Sequence, residues 1–239
     1  MAAVPAAEPR IHRDVVTYVR RSARMNPSQL KAWETLRERW ILDLPAGERV
    51  TSIARDAHID IEAVFGRSGP LMVEIGAGNG DTATALAQRF PEANILAFEV
   101  FEPAAASMLS KLQRSGVGNV KVVVADGTQA VCTALDDSSI TELWTFFPDP
   151  WHKARHHKRR LVNPDFAAVV GRKLVPGGRW RIATDWADYV AHAREVLDAE
   201  PSLVDEGDQG RWEARPVTKY EARGVAAGRQ IVDLSYRRR

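Results

Sequence analysis

The sequence predicts an α/β fold, doubly wound around a mostly parallel sheet, and three observations carry that expectation. From about residue 69 onward, short β-rich runs alternate with helical stretches long enough to cover a sheet on both faces. The chain has 239 residues, 45% of them hydrophobic, enough to bury one full core but not two ordinary domains with a linker. A glycine-rich turn follows the first apolar run directly, as at the first strand-to-helix crossing of such sheets.

Residues 1–27 mix Ala, Pro and Arg without a sustained period and read as a flexible basic N-terminal arm, with a short ordered piece around Val15 to Val19. Residues 28–68 form an N-terminal helical extension. Its main helix begins at Ser28, a suitable cap, and carries Leu30, Trp33, Leu36 and Trp40 at helical spacing, as a lid packed on a core would. Gly69 and Pro70 end a less regular segment and introduce the apolar run Leu71 to Ile75.

Residues 69–239 make the α/β domain. Leu71 to Ile75 leads into helix 82–90, Ile95 to Phe98 into helix 103–115, and Val120 to Val124 into a looser helix. Leu143 to Phe147 runs into a basic loop, followed by helix 164–174. Gly177 and Gly178 turn the chain into strand 179–183, and residues 186–199 are helical again. Ile231 to Tyr236 alternates apolar and polar residues, which reads as an antiparallel edge strand. Trp40, Trp144 and Trp180 are expected in the core.

Composition excludes several classes. No stretch approaches the roughly 18 to 20 apolar residues of a membrane-spanning helix. The single cysteine, Cys132, forms neither an internal disulfide nor a thiolate cluster, and the first residues lack the apolar segment of a secretory signal, so cytoplasm is expected. The six histidines show no metal-binding spacing; no metal is expected. Net charge is only +2, but the cations cluster: His152 to Arg160 contains no acid, and further arginines crowd both termini.

Glu74-Ile75-Gly76-Ala77-Gly78-Asn79-Gly80 closes the first strand, where glycines let the backbone turn tightly and approach a ligand. The spacing G-x-G-x-G is one residue short of the dinucleotide fingerprint, and a tight turn without ligand remains an alternative. Glu99 ends the next strand about 20 residues on, placed to accept hydrogen bonds from ribose hydroxyls. Asp126 ends the third, where a helix-cap or turn role is the alternative. Acids at successive strand ends suit a ligand with a ribose, an amino-bearing base and a positive centre, as in S-adenosylmethionine.

After the fourth strand comes Phe146-Phe147-Pro148-Asp149-Pro150-Trp151, in which two prolines hold Asp149 in place, followed by the basic run. Beside a cofactor crevice, a block of one sign reads as a phosphate-binding surface.

From about Tyr18 to its end, the chain resembles the bacterial tRNA (guanine-N7)-methyltransferases, a class I, Rossmann-like group dependent on S-adenosylmethionine. The most specific elements are Phe147-Pro148-Asp149-Pro150-Trp151 with Lys153, Arg155, His156 and Lys158-Arg159-Arg160. Thr218-Lys219-Tyr220-Glu221-Ala222-Arg223-Gly224 matches too, with Tyr220 where the family carries Phe; Thr184-Asp185 and Val19-Arg20-Arg21 also fit. The resemblance implies a seven-stranded Rossmann-like methyltransferase sheet with an antiparallel edge strand. It implies cofactor contacts at Glu74, Gly76, Gly78, Gly80, Glu99, Asp126 and Asp149. Substrate contacts are implied at Lys153, Asp185, Thr218, Lys219, Tyr220 and Glu221, and RNA contacts at Arg155, His156, His157, Lys158, Arg159 and Arg160. The partner would be tRNA, with the variable-loop guanosine, position 46, as target; for Thr218 to Glu221, spacing alone equally allows a capped turn.

The chemistry fits without a general base, because guanine N7 is an unprotonated acceptor that attacks a sulfonium methyl directly. Positive charge then moves from sulfur to the ring, and a fixed carboxylate near the acceptor, Asp149, favours that movement. Asp185 is placed to accept from guanine N1 and N2, Lys153 to bind a neighbouring phosphate, and Trp151 to support the loop. Two rival readings share this pattern: an NAD-dependent oxidoreductase, and a noncatalytic RNA-binding module on a methyltransferase core. Monomer and homodimer are both compatible with the sequence.

Overall fold

The computed structural model describes residues 16–18 and 24–239. The expected arm, including most of its ordered piece and the Val19-Arg20-Arg21 match, falls largely on 1–15 and 19–23, outside the described residues.

Helix α1 (Pro27–Trp40) packs on the domain, followed by a short helix α2 (Ile61–Phe65). Then come β1 (Leu71–Ile75), α3 (Asp81–Arg89), β2 (Asn94–Phe98), α4 (Glu102–Ser115), β3 (Val120–Val123), α5 (Gly127–Ala134) and β4 (Ile140–Phe146). A 3-10 turn over Ala154–Arg159 leads to α6 (Pro164–Lys173), β5 (Leu174–Thr184), α7 (Ala187–Asp198), β6 (Leu203–Asp205), α8 (Lys219–Ala226) and β7 (Val232–Arg238).

The helix cap differs from the expectation at Ser28. Asn26 caps α1, its side chain accepting from Gln29 N at 2.9 Å while the Gln29 side chain accepts from Asn26 N at 2.9 Å. Pro27 has no N–H to leave unpaired and suits the first helical position, so the helix starts earlier and Ser28 lies inside its first turn. Gln29 then ties α1 to α4 by donating to Pro103 O at 2.9 Å and Ser107 Oγ at 3.0 Å.

The seven strands run in the order β3-β2-β1-β4-β5-β7-β6. β1 to β5 are mutually parallel, and β7 is antiparallel to both β5 and β6. The strand read at 231–236 is therefore antiparallel as expected but lies one position inside the edge. The three-residue β6, paired from Leu203 to Arg238, covers it; so short a strand carries no readable period.

Alternation along each central strand divides the core into two layers. Val73, Leu96, Leu143 and Trp180 face α5, α6 and α7, whereas Met72, Ile95 and Trp144 face α1, α3 and α4. All seven are at most 7% exposed, and burying each such side chain is worth roughly 1.5–3 kcal/mol. Trp40, Trp144 and Trp180 are buried, as expected. Because β1 to β5 are parallel, their C-terminal ends share one rim of the sheet, and the chemically suggestive residues sit there. Among the described residues, no helix is long and apolar enough to cross a membrane.

Candidate active site

The turn after β1 takes Gly76, Gly78 and Gly80 at φ of 79°, 56° and 77°, a left-handed region that L side chains avoid. At Gly80 a side chain is also excluded by space: a Cβ would stand 2.2 Å from Met108 of α4. The amides of the turn are bonded within the fold, Gly76 N and Ala77 N donating to Phe98 O at 2.9 and 3.0 Å and Gly80 N to Ala77 O at 2.9 Å. Gly78 N donates to Glu99 Oε2 at 2.7 Å, and Phe101 N donates to Glu99 Oε1 at 2.9 Å. Each carboxylate oxygen has a second lone pair, so Glu99 is fixed yet able to accept a further hydrogen bond.

A cavity of about 370 Å³ opens above this turn, and Glu74, Glu99, Asp126 and Asp149 all line it. Glu74, on β1, is 3% exposed, and its Oε2 has no hydrogen-bond partner among the described residues. Burial pushes its carboxyl up to about 8, against the opposing effect of Thr82, with the nearby Glu99 charge adding to the rise. A buried carboxyl with an unpartnered oxygen on a cavity wall suits a cationic ligand group, whose charge would favour the ionised form and release the proton.

Asp126 serves the cap alternative as well: its Oδ1 accepts from Thr128 N at 3.0 Å and from Thr128 Oγ1 at 2.6 Å, starting α5. It nevertheless faces the cavity. Cys132, on the same helix, is pushed up to about 12 by burial, so it is a neutral thiol with no nucleophilic character near pH 7.

Asp149 sits in a backbone held at both sides. Phe147 and Trp151 adopt φ of 55° and 45°, unusual for bulky side chains, and bracket Pro148-Asp149-Pro150. Phe147 N donates to Ala183 O at 2.7 Å, and Trp151 Nε1 donates to Thr17 O at 3.1 Å. Trp151 thus anchors the loop.

The basic turn that follows divides into two sets. Lys153, Arg155 and Lys158 are exposed, while His156, His157 and Arg159 are half-buried, Arg159 lying 4.7 Å from the Trp151 ring centre. The His156 imidazole is held below its ordinary value by partial desolvation and by the charges of Arg155, Arg159 and Lys153. Arg160 departs from the expectation of an RNA-facing residue: it is 1% exposed. Its Nε donates to Pro150 O at 3.1 Å, and its guanidinium pairs with Asp188 of α7. It joins the signature loop to α7.

The segment from Thr218 to Glu221 divides in the same way. Thr218, Lys219 and Tyr220 line the cavity, with Thr218 also capping α8 through Glu221 N at 3.3 Å. Glu221 points away, 5% exposed, accepting from Arg211 at 2.8 Å and from Arg215 at 2.6 Å. The structure thus places Glu221 in ion pairs outside the cavity lining. Asp185 does not line the cavity; Arg229 donates to its Oδ2 at 2.7 Å. Lys153 lies outside the cavity lining too.

A model of a putative methyltransferase family matches residues 68–234. The chain is 50% identical over 234 residues to a tRNA (guanine-N(7)-)-methyltransferase of Cutibacterium acnes, covering 96% of this chain and 85% of the relative. It is 46% identical to one of Nocardioides sp., with 98% and 91% covered, and 39% identical to one of Alkalilimnicola ehrlichii, with 95% and 94% covered. The chain belongs to the tRNA (guanine-N7)-methyltransferase family. The fold is shared more widely. The 16S rRNA methyltransferase KamB superposes with a TM-score of 0.55 at 14% identity, over 82% of this chain and 99% of that one.

Within this family member, two site features carried no sequence signal. Thr17 and Tyr18 lie across the cavity, the Tyr18 hydroxyl pairing with Thr51 Oγ1, while Thr51 O accepts from Asp126 N at 2.8 Å. Arg215, 1% exposed, joins Glu221 of α8 to Asp233 of β7 and lies 5.5 Å from the ring centres of Phe146 and Phe147. Neither could be read from spacing: Tyr18 meets Thr51 across 33 residues, and Arg215 reaches Asp233 across 18.

Proposed function

We propose that this protein transfers the methyl group of S-adenosylmethionine to N7 of a guanosine in tRNA, at position 46 of the variable loop, giving N7-methylguanosine. The observation that carries the reading is the convergence of Glu74, Glu99, Asp126 and Asp149 on one cavity beside an exposed cationic turn. Family membership supplies the substrate class.

The residues fit the cofactor. The glycine turn and Glu74 receive its charged amino-acid end, the unsatisfied Glu74 Oε2 matching a cation; Glu99 receives the ribose and Asp126 the base. When bound, S-adenosylmethionine supplies an electrophilic methyl on a sulfonium. The protein's own contribution is positioning, worth up to roughly 7–11 kcal/mol in favourable systems, together with electrostatics. Asp149 is the catalytic carboxylate, facing the cation that forms on the guanine ring. Lys219 and Tyr220 at the cavity mouth receive the guanine, and Lys153, Arg155, Lys158 and Arg159 bind phosphates.

Incubating unmodified tRNA with labelled S-adenosylmethionine and analysing the nucleosides tests the reading. Label in N7-methylguanosine is the expected result, and its loss when position 46 is replaced fixes the site. Absence of that nucleoside overturns the proposal.

A further inference from the structure

Trp186, at the start of α7, is 37% exposed and takes no part in the cavity. The His152 ring is stacked on it, with centres 5.9 Å apart and planes 15° apart. His152 is itself exposed, and the Arg229 guanidinium lies 5.6 Å from the Trp186 ring centre. An aromatic stack facing solvent needs an explanation, because burying these rings elsewhere in the core would be favourable.

The backbone that carries Trp186 is fixed by hydrogen bonds. Trp186 N donates to the buried Thr184 Oγ1 at 3.3 Å, and Trp186 O accepts from Val190 N at 3.0 Å. The Arg160–Asp188 pair fastens the basic turn, which follows His152, to α7, which follows Trp186. The acids nearest in sequence to Trp186 are paired, Asp185 with Arg229 and Asp188 with Arg160 and His157, which offsets their repulsion of a phosphate chain. Lys153 and Arg155 are exposed one and three residues beyond His152. Gly224 of α8 packs on Asp185, the residue before Trp186, and Lys219 and Tyr220 at the start of α8 line the cavity, as does Asp149, three residues before His152.

We propose that the His152–Trp186 stack is a platform for an unpaired RNA base, a nucleotide neighbouring the one that enters the cavity. A fixed pair of exposed rings flanked by cations is the arrangement that single-stranded RNA recognition uses, the base continuing the stack while its phosphates meet lysine and arginine. Opening the environment of a guanine in folded RNA unstacks its neighbours, and the platform replaces the stacking they lose. The inference rests on the RNA substrate proposed above.

The test uses the full chain with unmodified tRNA, and with an unstructured adenosine–uridine oligonucleotide carrying one 2-aminopurine, whose fluorescence falls on stacking. Trp186→Ala is expected to weaken RNA binding about 5- to 150-fold, to abolish the quench and to leave the salt dependence of affinity unchanged, since stacking releases no counterions. Trp186→Phe should restore most of the affinity, and His152→Ala, at an exposed position, should reproduce part of the loss. S-adenosylhomocysteine affinity should be the same in all four proteins. Wild-type RNA affinity in Trp186→Ala, or equal losses in Trp186→Ala and Trp186→Phe, overturns the platform. N7-methylguanosine formation by the wild type is scored separately: its absence sinks the functional reading, and a Trp186-dependent quench would still uphold the platform.

Discussion

The guanidinium of Arg215 lies 5.5 Å from the ring centre of Phe147, the residue whose left-handed backbone opens the Pro148-Asp149-Pro150 loop. The same guanidinium is fixed by Glu221 at 2.6 Å and Asp233 at 2.8 Å, so α8 and β7 bear on the loop through one buried cation. An aromatic residue is kept at positive φ only where its surroundings over-determine it, and this network is one such surrounding.

Arg215→Met should therefore be strongly destabilising. Removing the cation leaves the buried Asp233 without its ion-pair partner and Glu221 held by Arg211 alone, a class of change that costs about 3–5 kcal/mol. Thermal unfolding checks this. Arg215→Lys keeps the charge but not the fork that serves two carboxylates, and should fall between the two.

Glu74→Gln tests the unsatisfied carboxyl. An unfolded glutamate titrates near its ordinary value, whereas burial raises Glu74 to about 8. Between those values the native state holds the extra proton, so wild-type stability falls as pH rises from about 4.5 to about 8. The glutamine variant lacks that loss. Its stability advantage should grow across this window, read as a widening gap in melting temperature, with affinity for S-adenosylhomocysteine reduced. A gap that stays flat with pH rejects a buried, raised Glu74.

Asp149→Asn keeps the shape of the loop and removes its charge. Loss of one preorganised electrostatic group at a transition state costs about 100- to 1,000-fold, so turnover should fall by that order while cofactor affinity changes less. Single-turnover methylation of tRNA measures it. An asparagine variant as fast as the wild type would refute the role given to Asp149.

Salt dependence separates the cations of the basic turn. Lys153→Ala and Arg155→Ala should each lower the slope of log affinity against log salt by about 0.7–0.9 if each meets one phosphate. Arg160→Ala should leave that slope alone and lower the melting temperature, because Arg160 is buried against Pro150 and Asp188.

Gly80→Ala should destabilise the fold by about 1–3 kcal/mol, since it combines a left-handed backbone with a contact 2.2 Å from Met108. Gly78→Ala shares the backbone penalty but meets nothing within 4 Å, and should cost less. Chemical denaturation of the pair resolves the difference.

The sequence by itself determined the strands and helices around the cavity, because hydrophobic period, prolines and glycines act within a few residues. It placed β1, β2 and β3 within a residue at either end, and hence the acids Glu74, Glu99 and Asp126 at neighbouring strand ends. Only the tertiary structure decided which polar residues face a ligand and which face each other. Arg160 and Glu221 sit in motifs beside exposed or cavity-lining neighbours, yet each turns inward to partners 28 and 6 residues away. Charge and spacing are properties of the chain, but burial and pairing arise between distant segments. The same separation hid the contacts of Thr17 and Tyr18 with the cavity and the stacking of His152 on Trp186, while β6 was too short to show a period.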